Sequence, residues 1–212
     1  KNRKYGTQGY GSVRWLKDNK GYSTIEMNSA KGGPDIVRYD ALTGEKSVLI
    51  SSDQLIPEGK TRPLSIADYT WSADNSKLLI FTNTHRVWRY NTRGDYWMLN
   101  LVSGKLQQLG RKAERSSMMF AKFSPDASRV AYVSKLNIYV EDIITGETKQ
   151  LTFDGGGNII NGTFDWVYEE EFSMSKGFEW SPEGDYLAYY RFDESKVPEY
   201  GMYLYGQLYP EL

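Results

Sequence analysis

Cysteine is absent from the sequence and histidine occurs once. The first absence excludes disulfides, thiolate metal sites and a cysteine nucleophile. The second leaves His85, in Thr82-Asn83-Thr84-His85-Arg86, without a companion ligand, so neither a metal site nor any other role is assigned to it. An excess of charge of one sign is also lacking. With 26 basic against 27 acidic residues the net charge is −1, which gives no electrostatic footprint for nucleic acid or for an anionic membrane surface. No apolar run approaches the roughly 18 residues of a membrane-spanning helix, and the basic start Lys1-Asn2-Arg3-Lys4 is not followed by the apolar core of a signal peptide. Signatures of common chemistry are missing as well. There is no Gly-x-Ser-x-Gly nucleophile elbow and no dinucleotide fingerprint, and Gly155-Gly156-Gly157 lacks the Lys-Ser/Thr of a phosphate-binding loop. No cofactor is expected. Asn161-Gly162-Thr163 matches a glycosylation sequon, a pattern too short to carry weight.

What the chain does contain is aromatic side chains and glycine: 17 Tyr, 6 Trp, 8 Phe and 20 Gly in 212 residues. Aromatics suit pleated, half-buried surfaces and glycine serves tight turns, so a β-rich fold is expected. An internal repeat gives it an architecture. Trp71-Ser72-Ala73-Asp74-Asn75 precedes Lys77-Leu78-Leu79-Ile80-Phe81; Phe123-Ser124-Pro125-Asp126-Ala127 precedes Arg129-Val130-Ala131-Tyr132-Val133; Trp180-Ser181-Pro182-Glu183-Gly184 precedes Tyr186-Leu187-Ala188-Tyr189-Tyr190. Trp15-Leu16-Lys17-Asp18-Asn19 is a weaker copy, and the period is about fifty residues. Each unit reads as a strand, a hairpin turn and a second strand. A second turn recurs downstream as Leu42-Thr43-Gly44-Glu45, Val102-Ser103-Gly104-Lys105 and Ile144-Thr145-Gly146-Glu147, with Gly supplying a positive φ. Four antiparallel strands per repeat describe β-propeller blades. The expected fold is all-β, a partial propeller of three to four blades, near residues 10–55, 60–110, 115–152 and 178–212. Residues 153–179 break the rhythm and read as an insertion between the third and fourth blades.

That insertion carries Asp165-Trp166-Val167-Tyr168-Glu169-Glu170-Glu171-Phe172, three adjacent carboxylates set in an aromatic run. A helix here would bring Trp166, Glu169 and Glu170 to neighbouring positions. A solvated acidic turn is the plain reading of such a run. The flanking Trp166, Val167, Tyr168 and Phe172 argue instead for partial burial, which favours a bound cation. Calcium would want more oxygen ligands at loop spacing, and glycoside hydrolysis needs carboxylates on opposite sides of a sugar. A primary ammonium, with its three donors, fits best.

Asn161-Gly162-Thr163-Phe164-Asp165-Trp166-Val167-Tyr168-Glu169-Glu170-Glu171 closely resembles the double-glutamate segment of the dipeptidyl peptidase IV group, in the prolyl oligopeptidase family of serine peptidases. Trp180-Ser181-Pro182 with Leu187-Ala188-Tyr189 and Val197-Pro198-Glu199-Tyr200 looks like the following blade of those enzymes, and Trp88-Arg89 with Tyr96 like their second-blade loop. The resemblance implies an eight-bladed propeller capping an α/β-hydrolase domain, and release of N-terminal dipeptides with Pro or Ala second. It implies that Glu170 and Glu171 hold the substrate α-ammonium, that Arg89 contacts a substrate carbonyl, and that Glu169 and Tyr168 support them. The serine, aspartate and histidine of catalysis, the other half of the propeller and the hydrolase domain would lie outside these 212 residues. The compact insertion suggests a bacterial member, and the resemblance implies the periplasm, the cell envelope or the exterior. The tyrosine-rich stretch Tyr200 to Tyr209 would enter an arm used for homodimerisation, or form the third strand of the fourth blade. The competing expectation is a non-enzymatic propeller scaffold that binds peptide or protein partners.

Overall fold

The computed structural model describes residues 12–201. Its first blade is a four-stranded antiparallel sheet of β1 (Arg14–Trp15), β2 (Gly21–Asn28), β3 (Gly33–Asp40) and β4 (Lys46–Ile50), paired in chain order. The second comprises β5 (Asp68–Trp71), β6 (Lys77–His85), β7 (Arg93–Asn100) and β8 (Leu106–Gln108), and the third β9 (Met118–Phe123), β10 (Arg129–Ser134), β11 (Asn137–Asp142) and β12 (Thr148–Gln150). Within each of these two blades the strands again pair in chain order, and a bridge between Gly94 and Met118 links the blades to each other. The antiparallel sheets are those of a partial β-propeller.

Blade stacking explains why β6 and β10 are continuous apolar runs rather than alternating ones. Successive side chains on a strand point to opposite faces, and a blade between two neighbours buries both. Leu78 and Ile80 pack with Ile36, Ile50, Leu55 and Tyr69 on the first-blade side, whereas Leu79 packs with Phe123, Val130 and Tyr132 on the third-blade side. The third blade repeats the pattern. Val130 and Tyr132 face the second blade, and Ala131 and Val133 face Phe178 and Trp180 of the fourth. Each large aliphatic side chain buried this way contributes about 1.5–3 kcal/mol.

The turns are held by their own side chains. In the second blade Ser72 and Ser76 donate to the two Asp74 carboxylate oxygens, both at 2.6 Å, and the Lys77 amide donates to Ser72 Oγ at 2.9 Å. Ser124, Asp126, Ser128 and Arg129 repeat this in the third. The second turn of each blade is capped from two residues upstream of the expected motif. Asp40, Asn100 and Asp142 each accept from the two amides that follow at i+2 and i+3, at 2.8–3.0 Å, before a glycine with φ of 70–72°.

The hydroxyls of Ser124 and then Ser128 hold the Asp126 carboxyl down at about 2. A carboxyl depressed in the fold stabilises it above the ordinary pKa, near about 4, and loses that contribution as pH falls toward about 2. Asp126→Asn is therefore expected to lower the urea midpoint near neutral pH, with the gap to wild type closing across that acid window. A gap independent of pH would rule the turn out as its origin.

The fourth blade departs from the simple repeat. β13 (Ile159–Asn161) and β14 (Phe178–Trp180) both pair antiparallel with one stretch of chain, β15 (Leu187–Tyr189) and β16 (Arg191–Asp193), in the register Trp180 to Leu187, Phe178 to Tyr189, Asn161 to Arg191 and Ile159 to Asp193. Thus β13 and β14 run in line as a single edge strand. The chain leaves it at Gly162 and returns at Gly177, whose amide donates to the Gly162 carbonyl at 3.0 Å. The insertion is accordingly narrower than the stretch 153–179 read from the sequence: residues 163–176 interrupt the blade's own strand, and Ile159–Asn161 and Phe178–Trp180 on either side of them belong to its sheet. The sequence pattern pointed elsewhere because the glycines that mark the exit and return are far apart in the chain. Most of the tyrosine-rich stretch assigned to an arm or third strand lies outside the described residues.

Candidate functional site

The excursion begins as a hairpin neck, with Thr163 bridged to Lys176 and the Phe164 amide donating to Ser175 O at 3.3 Å. It is filled by one short helix, α1 (Trp166–Phe172). Asp165 caps the helix by accepting from the Tyr168 amide at 3.0 Å, and Ser173 ends it in the left-handed region at φ 54°. Aromatic spacing then fixes the face that docks. Phe164, Tyr168 and Phe172 recur every four residues, and Tyr168 sits between Phe164 at 5.3 Å and Phe172 at 5.6 Å, with the Phe192 ring of β16 5.2 Å away. Phe164 is also 5.0 Å from Tyr190. Tyr168 therefore seats α1 on the blade.

Burial of the aromatic run, expected from the sequence, holds for only part of it. Phe164 is 2% exposed, but Trp166, Val167 and Phe172 are 51%, 44% and 62% exposed. A seven-residue helix has one side toward the blade, and Tyr168 occupies it, stacked on Phe164 from just before the cap. The three glutamates consequently part company. Glu169 is buried, Glu170 is half-buried and Glu171 is exposed.

Across from them lies the turn between β6 and β7. The β6–β7 pairing slips between Thr82 and His85, and residues 86–92 form an extended tip in which the Val87 amide donates to Tyr90 O at 3.1 Å and Arg86 Nε to Trp88 O at 2.7 Å. Arg89, on this tip, donates through Nε and a terminal nitrogen to the two carboxylate oxygens of Glu170, a bidentate pair. That fork geometry is specific to a guanidinium. Glu170 first, and the nearby charge of Glu171, hold the Arg89 pKa above its ordinary value. Glu169 reaches the same turn differently, through its backbone: its Oε1 accepts from the Arg89 amide at 3.2 Å and the Tyr90 amide at 3.4 Å.

Glu169 and Glu170 thus meet the turn that carries Arg89, although Arg89 and Glu170 are 81 positions apart, whereas Tyr168 faces the blade and Glu171 faces solvent. The tether made by Glu169 was not anticipated. Among the described residues Glu171 has no ion-pair or hydrogen-bond partner. Chemically the site offers acceptor oxygens on α1, two already matched to Arg89, beside a guanidinium with donors to spare. Asn161, in the sequon, is 0% exposed and donates to Asp154 at 2.9 Å, so its amide is not presented for modification. His85 is exposed and stands at the end of β6.

The fold and the site define a propeller segment whose fourth blade carries a strand-interrupting acidic helix clasped to a basic turn of the second blade. A family model described as the dipeptidyl peptidase IV (DPP IV) N-terminal region matches residues 72–212. The chain belongs to that family. Dipeptidyl aminopeptidase B of Saccharomyces cerevisiae is 35% identical over 219 residues, covering 96% of this chain and 25% of the yeast protein. Dipeptidyl peptidase 4 of Trichophyton rubrum is 33% identical over 166 residues, covering 78% of this chain and 20% of the fungal protein. The crystal structure of Porphyromonas gingivalis dipeptidyl peptidase 4 matches with a TM-score of 0.77 at 32% identity, over 96% of this chain and 28% of that one. The chain spans a fifth to a quarter of the length of these two curated relatives.

Proposed function

We propose that this chain is the substrate-anchoring part of a dipeptidyl peptidase IV-like serine exopeptidase that releases X-Pro and X-Ala dipeptides. The observation that carries the reading is the bidentate pair of Arg89 with the half-buried Glu170, next to Glu171, which is open to solvent. Glu170 and Glu171 receive the α-ammonium of a peptide, whose three donors they match. Arg89 keeps Glu170 oriented and turns its remaining N–H groups toward the first carbonyl. From an ammonium fixed there, two residues of extended chain reach about 7 Å, which makes the site a ruler for dipeptides. Trp166, Val167 and Phe172 on the projecting helix narrow the approach and gate it. The nucleophile and its base belong to a hydrolase domain outside these residues, and the assembled enzyme is a homodimer of the periplasm, the cell envelope or the exterior.

A free ammonium is the feature the test must isolate. The full-length protein should bind and cleave Gly-Pro-p-nitroanilide, and unlabelled X-Pro peptides should compete, whereas their N-acetylated forms should compete at least about tenfold less well, as loss of one charged hydrogen bond requires. Equal competition by both forms would remove the anchoring role. Ammonium-dependent binding without hydrolysis would support the scaffold instead of the peptidase.

A further inference from the structure

Three consecutive glutamates of identical chemistry end in three different environments, and the most deeply buried is the one with no place in the anchoring scheme. Glu169 is 5% exposed. Its Oε1 accepts the backbone amides of Arg89 and Tyr90, at 3.2 and 3.4 Å, and so joins the fourth blade's excursion to the second blade's turn across the blade between them. The Arg89 side chain, by contrast, is 64% exposed. Ion pairs with so open a partner contribute little rigidity, because solvent screens them and two long side chains must be ordered. The tip that carries Arg89 extends beyond the regular β6–β7 ladder, so its own blade does not fix where the guanidinium stands.

We infer that Glu169 is a positioning residue: it ties the Arg89-Tyr90 backbone to α1 and thereby sets the spacing between the Arg89 guanidinium and the carboxylates of Glu170 and Glu171. This rests on the anchoring role proposed above. What the tie requires is an acceptor oxygen at the end of a side chain of this length, not a charge. Glutamine should therefore replace Glu169, whereas aspartate, one methylene shorter, should not. Successive residues of α1 divide the work, with one holding the backbone of the turn and the next its side chain.

The test uses the full-length protein with Glu169→Gln, Glu169→Asp and Glu169→Ala, and Glu170→Ala as reference. Amide hydrogen exchange at Arg89 and Tyr90 should accelerate about tenfold or more in the Asp and Ala variants, remain slow in the Gln variant, and be unchanged in all of them at Leu99 in the core of β7, where local and global opening differ. The KM for Gly-Pro-p-nitroanilide should rise about tenfold in the Asp and Ala variants, with kcat changed less than about threefold and both constants restored by Gln, since a displacement on the order of 1 Å suffices for such a loss. The Asp variant keeps the test open if the Ala variant fails to fold. Unchanged exchange at Arg89 and Tyr90 would overturn the tie. Faster exchange with an unchanged KM, while Glu170→Ala raises it, would overturn the positioning role. If Glu170→Ala also leaves KM unchanged, it is the anchoring reading that fails, and the exchange measurement still decides whether Glu169 holds the turn.

Discussion

Replacing Glu170 and Glu171 together by alanine is expected to lower kcat/KM for dipeptide release by roughly 10²–10⁴ in the full-length protein. Each charge-assisted hydrogen bond to an ammonium is worth roughly 1.5–3 kcal/mol, so two lost contacts remove roughly 3–6 kcal/mol of binding to the reacting complex. Stability should hardly change. Glu171 is exposed, and the Arg89 that pairs with Glu170 is largely so, a setting in which ion pairs contribute at most about 1 kcal/mol. The contrast between a large kinetic effect and a small thermal one separates a ligand-binding role from a folding role. The single variants should each show part of the loss, and Glu170→Ala should also release Arg89 from its bidentate pair. Efficiency within about threefold of wild type for the double variant would reduce the acidic run to a solvated helix face.

A large effect on stability is expected at a glycine outside the acidic run. Gly162 has φ 73°, and a Cβ placed there would lie 2.8 Å from Ile138 Cγ1 and 2.9 Å from Val133 Cγ2. Both neighbours are 0% exposed and packed in the core between the third and fourth blades, so they have little room to withdraw. Gly162→Ala combines a left-handed backbone, at about 1–2 kcal/mol, with overpacking, at about 1–3 kcal/mol. Together these should lower Tm by roughly 5–15 °C for a domain of this size. Gly104→Ala is the matched control: its φ is 70°, yet nothing stands within 4 Å of the added carbon. The control should therefore show the backbone penalty alone. Similar melting of the two variants would mean that the exit from the strand is not packed as described. Because Gly162 is where α1 leaves the blade, its substitution should also weaken substrate binding, through displacement of the helix.

The blades themselves were legible in the sequence because their chemistry is local. Ser124, Asp126 and Ser128 close a hairpin within five residues, and Gly44, Gly104 and Gly146 mark the second turn of each of the first three blades with a positive φ. The apolar runs of β6 and β10 fit strands covered on both faces, as stacking requires. The structure makes the acidic segment a short helix, capped by Asp165 from the adjacent position. The bounds of the insertion were not. Gly162 and Gly177 become neighbours only when β13 and β14 align on one partner strand, and no spacing in the chain records that alignment.

The sequence alone determined that the chain is a run of propeller blades and that Glu169, Glu170 and Glu171 stand together in an aromatic run. The tertiary structure decided what each of the three does. Consecutive residues on a helix point about 100° apart, so a buried backbone tie, a bidentate side-chain pair and a solvent-facing carboxylate follow one another along α1. Identity of side chain could not distinguish them, because the difference lies in what the second blade places opposite: two amides of its turn for Glu169, a guanidinium for Glu170 and open solvent for Glu171.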